Sequence, residues 1–293
     1  MTPHDNRMTL RATPARSNPP AVEAHDTRAL RGMFRVLAQL GYDTDALLAT
    51  AGLQREDVEN PDTVISPSAC GAVFAAAYQE RRVPNLPLQL AVHTPIGTTP
   101  LLDYLIVSSD SVEQGLERLA RYLRLVHPGI RLVVHEESDP VRVVVERACS
   151  PFDAELTVAL SVLRFRTETD EQMQAAHASF THEPDDVAGY AAVLGCPVRV
   201  RAAWNGWALS KAAMRTPLRR RDPALRQWLE RQAADMLARL PANGDVRDEV
   251  RSVLSGQLAA GDMRIDVVAR RLAITPRTLA ASIAGRNVVR RVV

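Results

Sequence analysis

The chain has 293 residues, 46% hydrophobic but only 4% aromatic, enough for a sizeable core of Leu, Val and Ala and long enough for two domains. Charge nearly balances, with 36 basic and 34 acidic residues for a net of +2, and Lys211 is the sole lysine, a bias that carries no functional reading. No run approaches the ~18 apolar residues of a membrane span, the N-terminus has no signal-peptide core, and Cys70, Cys149 and Cys196 are far apart with no CxxC pair, which argues against a disulfide framework or a cysteine zinc site. The expectation is a soluble cytoplasmic protein with buried thiols.

Residues 1–24 are proline-rich with little apolar periodicity and read as a disordered tail. From His25 the pattern turns helical, with Leu30, Phe34, Leu37 and Leu40 at three- and four-residue steps and Gly41 at a C′ position. Leu47, Leu48, Ala51 and Leu53 predict a short second helix. Ser66-Pro67 is an N-cap and N1 pair opening a helix to about Arg81 that buries Cys70, Val73, Phe74 and Ala77. A short apolar helix over 101–107 follows the turn at Gly97 and Pro100. Ser111 and Gln114 form a capping box for a helix to about Val126, with Leu116, Leu119, Ala120 and Leu123 inside and Glu113, Arg118 and Arg124 on a solvated face.

The period then changes from helical to alternating. Residues 130–135 and 141–146 predict an antiparallel pair across a turn-rich spacer. A helix over 152–167, a strand over 178–181, a helix over 184–194 and strands over 198–201 and 206–209 follow. This mixture without regular βαβ alternation predicts an α+β domain over residues 25–240. Asp222-Pro223 opens its last helix, with Leu225, Leu229, Ala233 and Leu237 on one face, and residues 241–245 read as a linker.

Residues 246–293 predict a small all-α unit. Val246, Val250, Val253, Leu254 and Leu258 mark a first helix, and residues 264–283 read as a helix-turn-helix. Ile265, Val268, Ala269 and Leu272 form the inner face of its first helix, while Thr275-Pro276 caps a second that buries Leu279 and Ile283. The second helix of such a pair enters the DNA major groove N-terminus first, which makes Arg277 and Thr278 the foremost contacts, with Arg264, Arg270, Arg271 and Thr275 beside them. Charge agrees: residues 262–293 hold seven arginines and two aspartates, a net of +5, against −3 for residues 1–261.

The chain resembles AraC/XylS-type transcriptional regulators with an arabinose-operon-regulator-like N-terminal ligand-binding domain. The marks are SDSVEQGLERLARYLRLV, FTHEPDDVAGYAAVLGCPVRV, Pro217-Leu218 and Asp222-Pro223 ahead of LRQWLERQAADMLARL, and VARRLAITPRTL. The resemblance implies a regulator rather than an enzyme, with no cofactor: a domain that binds a small-molecule effector and forms a homodimer, then a unit that binds promoter DNA. Members of that family carry two helix-turn-helix units, and only ten residues follow Ile283. Ala280-Ala281-Ser282 stands where the family has arginines, and a shifted reading of permissive codons restores Arg-Arg-Leu and Gly-Thr-Ser-Phe. The expectation is a truncated, frameshifted C-terminus; the alternative function is a DNA-binding-deficient effector and dimerisation module.

For the effector, Tyr104, Tyr122, His127, Trp204 and Trp207 are candidates chosen for their chemistry. His177, His182 and Glu183 are spaced to fall on opposite faces of a strand, against a shared metal. Arg219-Arg220-Arg221 reads as a solvated loop, and neither a nucleophile elbow nor a phosphate-binding glycine loop is present.

Overall fold

The computed structural model describes residues 27–239 except positions 61, 62, 64, 66, 128 and 149. The order is α1 (Thr27–Gln39), α2 (Thr44–Thr50), α3 (Arg55–Glu59), α4 (Pro67–Glu80), α5 (Leu86–His93), α6 (Pro100–Val107), α7 (Val112–Tyr122), a 3-10 turn (Leu123–Leu125), β1 (Arg131–His135) and β2 (Val141–Arg147). Then come α8 (Pro151–Glu168), β3 (Ala175–Ser179), α9 (Val187–Leu194), β4 (Val198–Arg199), β5 (Asn205–Leu209), α10 (Lys211–Met214) and α11 (Pro223–Arg239). The tail, the linker, the helix-turn-helix unit with its six DNA-contact candidates, and Cys149 lie outside the described residues.

Local chemistry sets the helix starts. Ser111 Oγ accepts from Gln114 N at 3.4 Å, Ser150 Oγ from Asp153 N at 3.2 Å ahead of Pro151, and Asp222 Oδ1 from Leu225 N at 2.9 Å ahead of α11. Asp186 Oδ1 accepts from Gly189 N at 2.9 Å, so α9 starts three residues later than Pro184 implied. One-turn helices such as α3 and α10 have too few residues to show a period and are absent from the sequence-based expectation.

The five strands form one mixed sheet in the order β1-β2-β5-β3-β4, antiparallel except for the β3–β4 pair. Val141, Val143 and Val145 alternate into the core from β2, and their neighbour β5 buries Trp207, Ala208 and Leu209. With helices packed against this sheet, the architecture is α+β, as the irregular alternation implied. The strand expected at 178–181 begins earlier, at Ala175, because pairing with β5 (Ala178 opposite Trp207), rather than the weak β-propensity of AAHAS, sets its register.

α8 is the central element. Its buried residues fall on every side, from Phe152 and Glu155 to Phe165 and Glu168, since α5 and α9 flank it and the sheet lies beneath. Arg118 and Arg124 do not form a solvated face: Arg118 is 14% exposed and reaches Glu230 at 3.3 Å, while Arg124 Nη2 donates to Leu237 O at 3.4 Å. Both hold α11 against α7. Arg219-Arg220-Arg221 is the exposed loop its sequence implied, with Arg219 and Arg220 40% and 45% exposed while lying 3.6 and 3.5 Å from the buried Glu168 carboxylate. A helix docked on a charged face converts solvated arginines into clamps, and one-helix periodicity cannot register that docking.

Candidate functional site

α8 carries a row of polar side chains along one flank, Asp153, Thr157, Ser161 and Arg164, at steps of four, four and three. Residues so spaced stack on one helix face. They border a cavity of about 90 Å³ closed by α6, the 94–99 loop, α7 and the segment from Leu123 to Ile130. Its walls are chiefly aliphatic, with Leu102, Ile106, Leu119, Leu156 and Leu160 among them. On a scale of ~10–15 Å³ per water, the space suits roughly six to nine non-hydrogen atoms.

One end of the cavity is charged. Asp103 is 5% exposed, and its Oδ2 accepts from Gly97 N at 2.8 Å and Thr99 N at 3.0 Å, which folds the 94–99 loop over the start of α6. Its Oδ1 faces Arg164 Nη2 at 3.3 Å. The second guanidinium nitrogen, Arg164 Nη1, is buried without a hydrogen-bond partner. Among the neighbouring hydroxyls, Thr98 donates to Pro95 O and Ser161 to Val158 O, so their protons are committed locally.

Of the five effector candidates, His127 lines this cavity. Burial drives its pKa from 6.5 down to about 4, so it presents a neutral imidazole at neutral pH. The other four stand elsewhere. Trp207 is fully buried behind the cavity, its ring 6.2 Å from that of Phe165. Tyr122 is fully buried on α7 toward α11, with the Arg121 guanidinium 5.2 Å from its ring centre. Trp204 lies between Arg142 and His177, each 5.9 Å away. Tyr104 is 39% exposed beside Gly97.

The His127 shift has a measurable consequence. Its folded pKa lies below the unfolded value, so the unfolded chain binds more protons between the two. Stability is therefore expected to be full above about pH 6.5 and to fall as pH drops toward 4. In His127→Gln, urea midpoints measured across that window should show a shallower pH dependence; a slope equal to the parent's would place the titration elsewhere.

His177 lies in β3, whereas His182 and Glu183 fall beyond its end at Ser179, so the strand-face argument does not apply and each has its own partner. His177 meets Trp204 edge-on, Glu183 pairs with Arg201 at 2.7 Å, and His182 Nε2 contacts Glu155 Oε1 at 2.7 Å. Burial pushes the Cys70 thiol up to about 12 and raises that of Cys196, so neither is poised as a nucleophile. Sequence reasoning passed over Arg164, Asp103 and Glu155. The available signal was polar residues at α8 positions that the apolar pattern would bury.

The α+β domain thus holds a small, mostly apolar cavity with one charged end. Comparison with known proteins specifies the family. Residues 41–218 match the family described as the arabinose-binding domain of AraC transcription regulators, N-terminal, and the chain belongs to that family. It is an AraC-type transcriptional regulator. Over 270 residues it is 23% identical to the HTH-type transcriptional regulator VirS of Mycobacterium tuberculosis, spanning 88% of this chain and 78% of that protein. In fold it is similar to the transcriptional regulator CdpR of Pseudomonas aeruginosa, with a TM-score of 0.52 at 17% identity over 89% of this chain and 80% of that one. Among the described residues, no helix is long and apolar enough to cross a membrane.

Proposed function

We propose that this chain is a ligand-responsive, DNA-binding regulator in which a small molecule in the α6–α7–α8 cavity biases a DNA-binding unit at 246–293. The observation that carries the reading is the position of α11. Leu229 and Ala233 pack it inward, and Arg118–Glu230 (3.3 Å), Arg226–Asp110 (2.8 Å) and Arg226–Ser108 O (3.5 Å) tie it to α6 and α7. Those same two helices line the cavity, and α11 ends at Arg239, directly before the linker. A ligand that binds one α6–α7 arrangement better than another would shift the position of α11, and through it the DNA-binding unit.

DNA contact is assigned to Arg277 and Thr278 at the start of the second helix, with Arg264, Arg270, Arg271 and Thr275 on phosphates and flanking positions. A homodimer belongs to the same reading. α11 exposes Leu225, Trp228 (55%) and Met236, an apolar stripe that an isologous partner would cover, and sedimentation of the full chain would test this.

The decisive experiment is fluorescence anisotropy with the promoter region beside the gene, across a salt series. Specific binding should weaken steeply as salt rises, because arginines displace counterions from phosphates. Arg277→Ala is expected to cost about 1–3 kcal/mol if the residue reads a base edge, and less if it meets a phosphate. Absence of a specific, salt-sensitive complex would leave the chain as an effector-binding module without DNA activity.

A further inference from the structure

The charged end of the cavity specifies what kind of molecule it takes. We infer that the site recognises a small aliphatic monocarboxylate, its carboxylate on Arg164 Nη1 and its chain along Leu102, Ile106, Leu156 and Leu160. The inference deepens the ligand-responsive reading above and rests on it.

The guanidinium of an arginine offers five N–H donors and no acceptor. The side chain of Arg164 is 12% exposed, and one of its terminal nitrogens already faces Asp103. That carboxylate is shared: Oδ2 serves two backbone N–H groups of the 94–99 loop and Oδ1 alone faces the guanidinium. Asp103 therefore fixes the plane of the guanidinium while leaving Nη1 buried with unmet donor capacity. A buried donor of this kind calls for an acceptor, and a carboxylate makes the stronger, charge-assisted bond.

The other charged groups around the cavity do not oppose this. Asp153 is eleven residues from Arg164 along α8, roughly 16 Å at 1.5 Å per residue. His127 is neutral at neutral pH, because its pKa lies near 4. The remaining polar lining consists of uncharged hydroxyls from Thr94, Thr98, Thr99, Thr157 and Ser161, and those of Thr94, Thr98 and Ser161 already donate to backbone carbonyls. Size limits the rest: roughly six to nine non-hydrogen atoms correspond to a monocarboxylate of about four to seven carbons in all. A longer chain would have to displace α6 or leave through the mouth.

The test uses the full chain and four probes of one length: hexanoate, hexanamide, hexanol and hexylamine. Isothermal titration should show saturable binding of hexanoate, with the amide and alcohol weaker by about tenfold or more, the range of a charge-assisted hydrogen bond, and with no binding of the amine. Arg164→Gln should erase the preference for hexanoate over hexanamide. Because that variant also removes the partner of Asp103, Leu160→Phe provides an independent check: it leaves the ion pair intact and fills the cavity from its apolar wall, and it should abolish binding of hexanoate while the melting temperature stays close to the parent's. Equal affinity for acid and alcohol, tighter binding of the amine, no binding of hexanoate, or undiminished hexanoate binding in either variant would each overturn the inference. Promoter affinity measured with and without hexanoate is a separate readout. Saturable hexanoate binding that leaves it unchanged would sink the ligand-responsive reading while keeping the site.

Discussion

Glu155→Ala is expected to destabilise the domain by about 3–5 kcal/mol, the range found when one partner of a buried charged cluster is removed. Glu155 is 1% exposed in the second turn of α8. Its Oε2 accepts from Tyr190 Oη of α9 at 2.6 Å, and its Oε1 meets His182 Nε2 at 2.7 Å. Tyr78 of α4 is near enough that, after burial itself, the Glu155 charge is the next contribution holding its phenol up at about 12. Truncation therefore strips a buried phenol and an imidazole of their acceptor and leaves a hole between α8 and α9. Glu155→Gln keeps the shape and one acceptor oxygen and should lose distinctly less. Urea unfolding of the two variants checks the order; a Glu155→Ala value within about 1 kcal/mol of the parent would show that water replaces the carboxylate at little cost.

Gly206→Ala should be comparably damaging for a backbone reason. Gly206 opens the buried run of β5 with φ at 147°, a conformation that side-chain-bearing residues rarely adopt. A Cβ built there would lie 2.0 Å from Val143 O and 2.9 Å from Trp204 Cζ3. The first contact is with a backbone carbonyl of the paired strand β2, so relief requires the central β2–β5 pairing to open rather than one side chain to turn. The φ strain alone is worth about 1–3 kcal/mol, and overpacking adds about as much. Low soluble yield or a melting temperature lowered by many degrees is the expected result. A variant as stable as the parent would mean that the strand pair yields easily at this point.

How legible each feature was depended on how local its cause is. Ser111 ahead of α7, Ser150-Pro151 ahead of α8 and Asp222-Pro223 ahead of α11 announce helix starts through bonds within three residues, and all three caps are present. The β1–β2 hairpin was equally readable, because alternation and its turn are contained in one short stretch. The cavity was not. Its ion pair joins Asp103 to Arg164, and its walls come from α6, α7 and α8 together. Among the five aromatic and histidine candidates, selection by chemistry alone reached His127 and passed over Arg164, which single-helix periodicity treats as one more surface arginine.

The α+β class, most helix starts, the antiparallel hairpin and the family resemblance are legible along the chain, since each is written in spacing or in short motifs. Only the tertiary structure decided which arginines are solvated and which are clamps, where β3 pairs, and which polar side chains meet at one end of an apolar cavity. The reason is physical. A cap or a period is an interaction within one turn or one strand, whereas the environment of Arg118, Arg164 or Glu155 is set by helices that arrive from distant parts of the chain and remove the water around them.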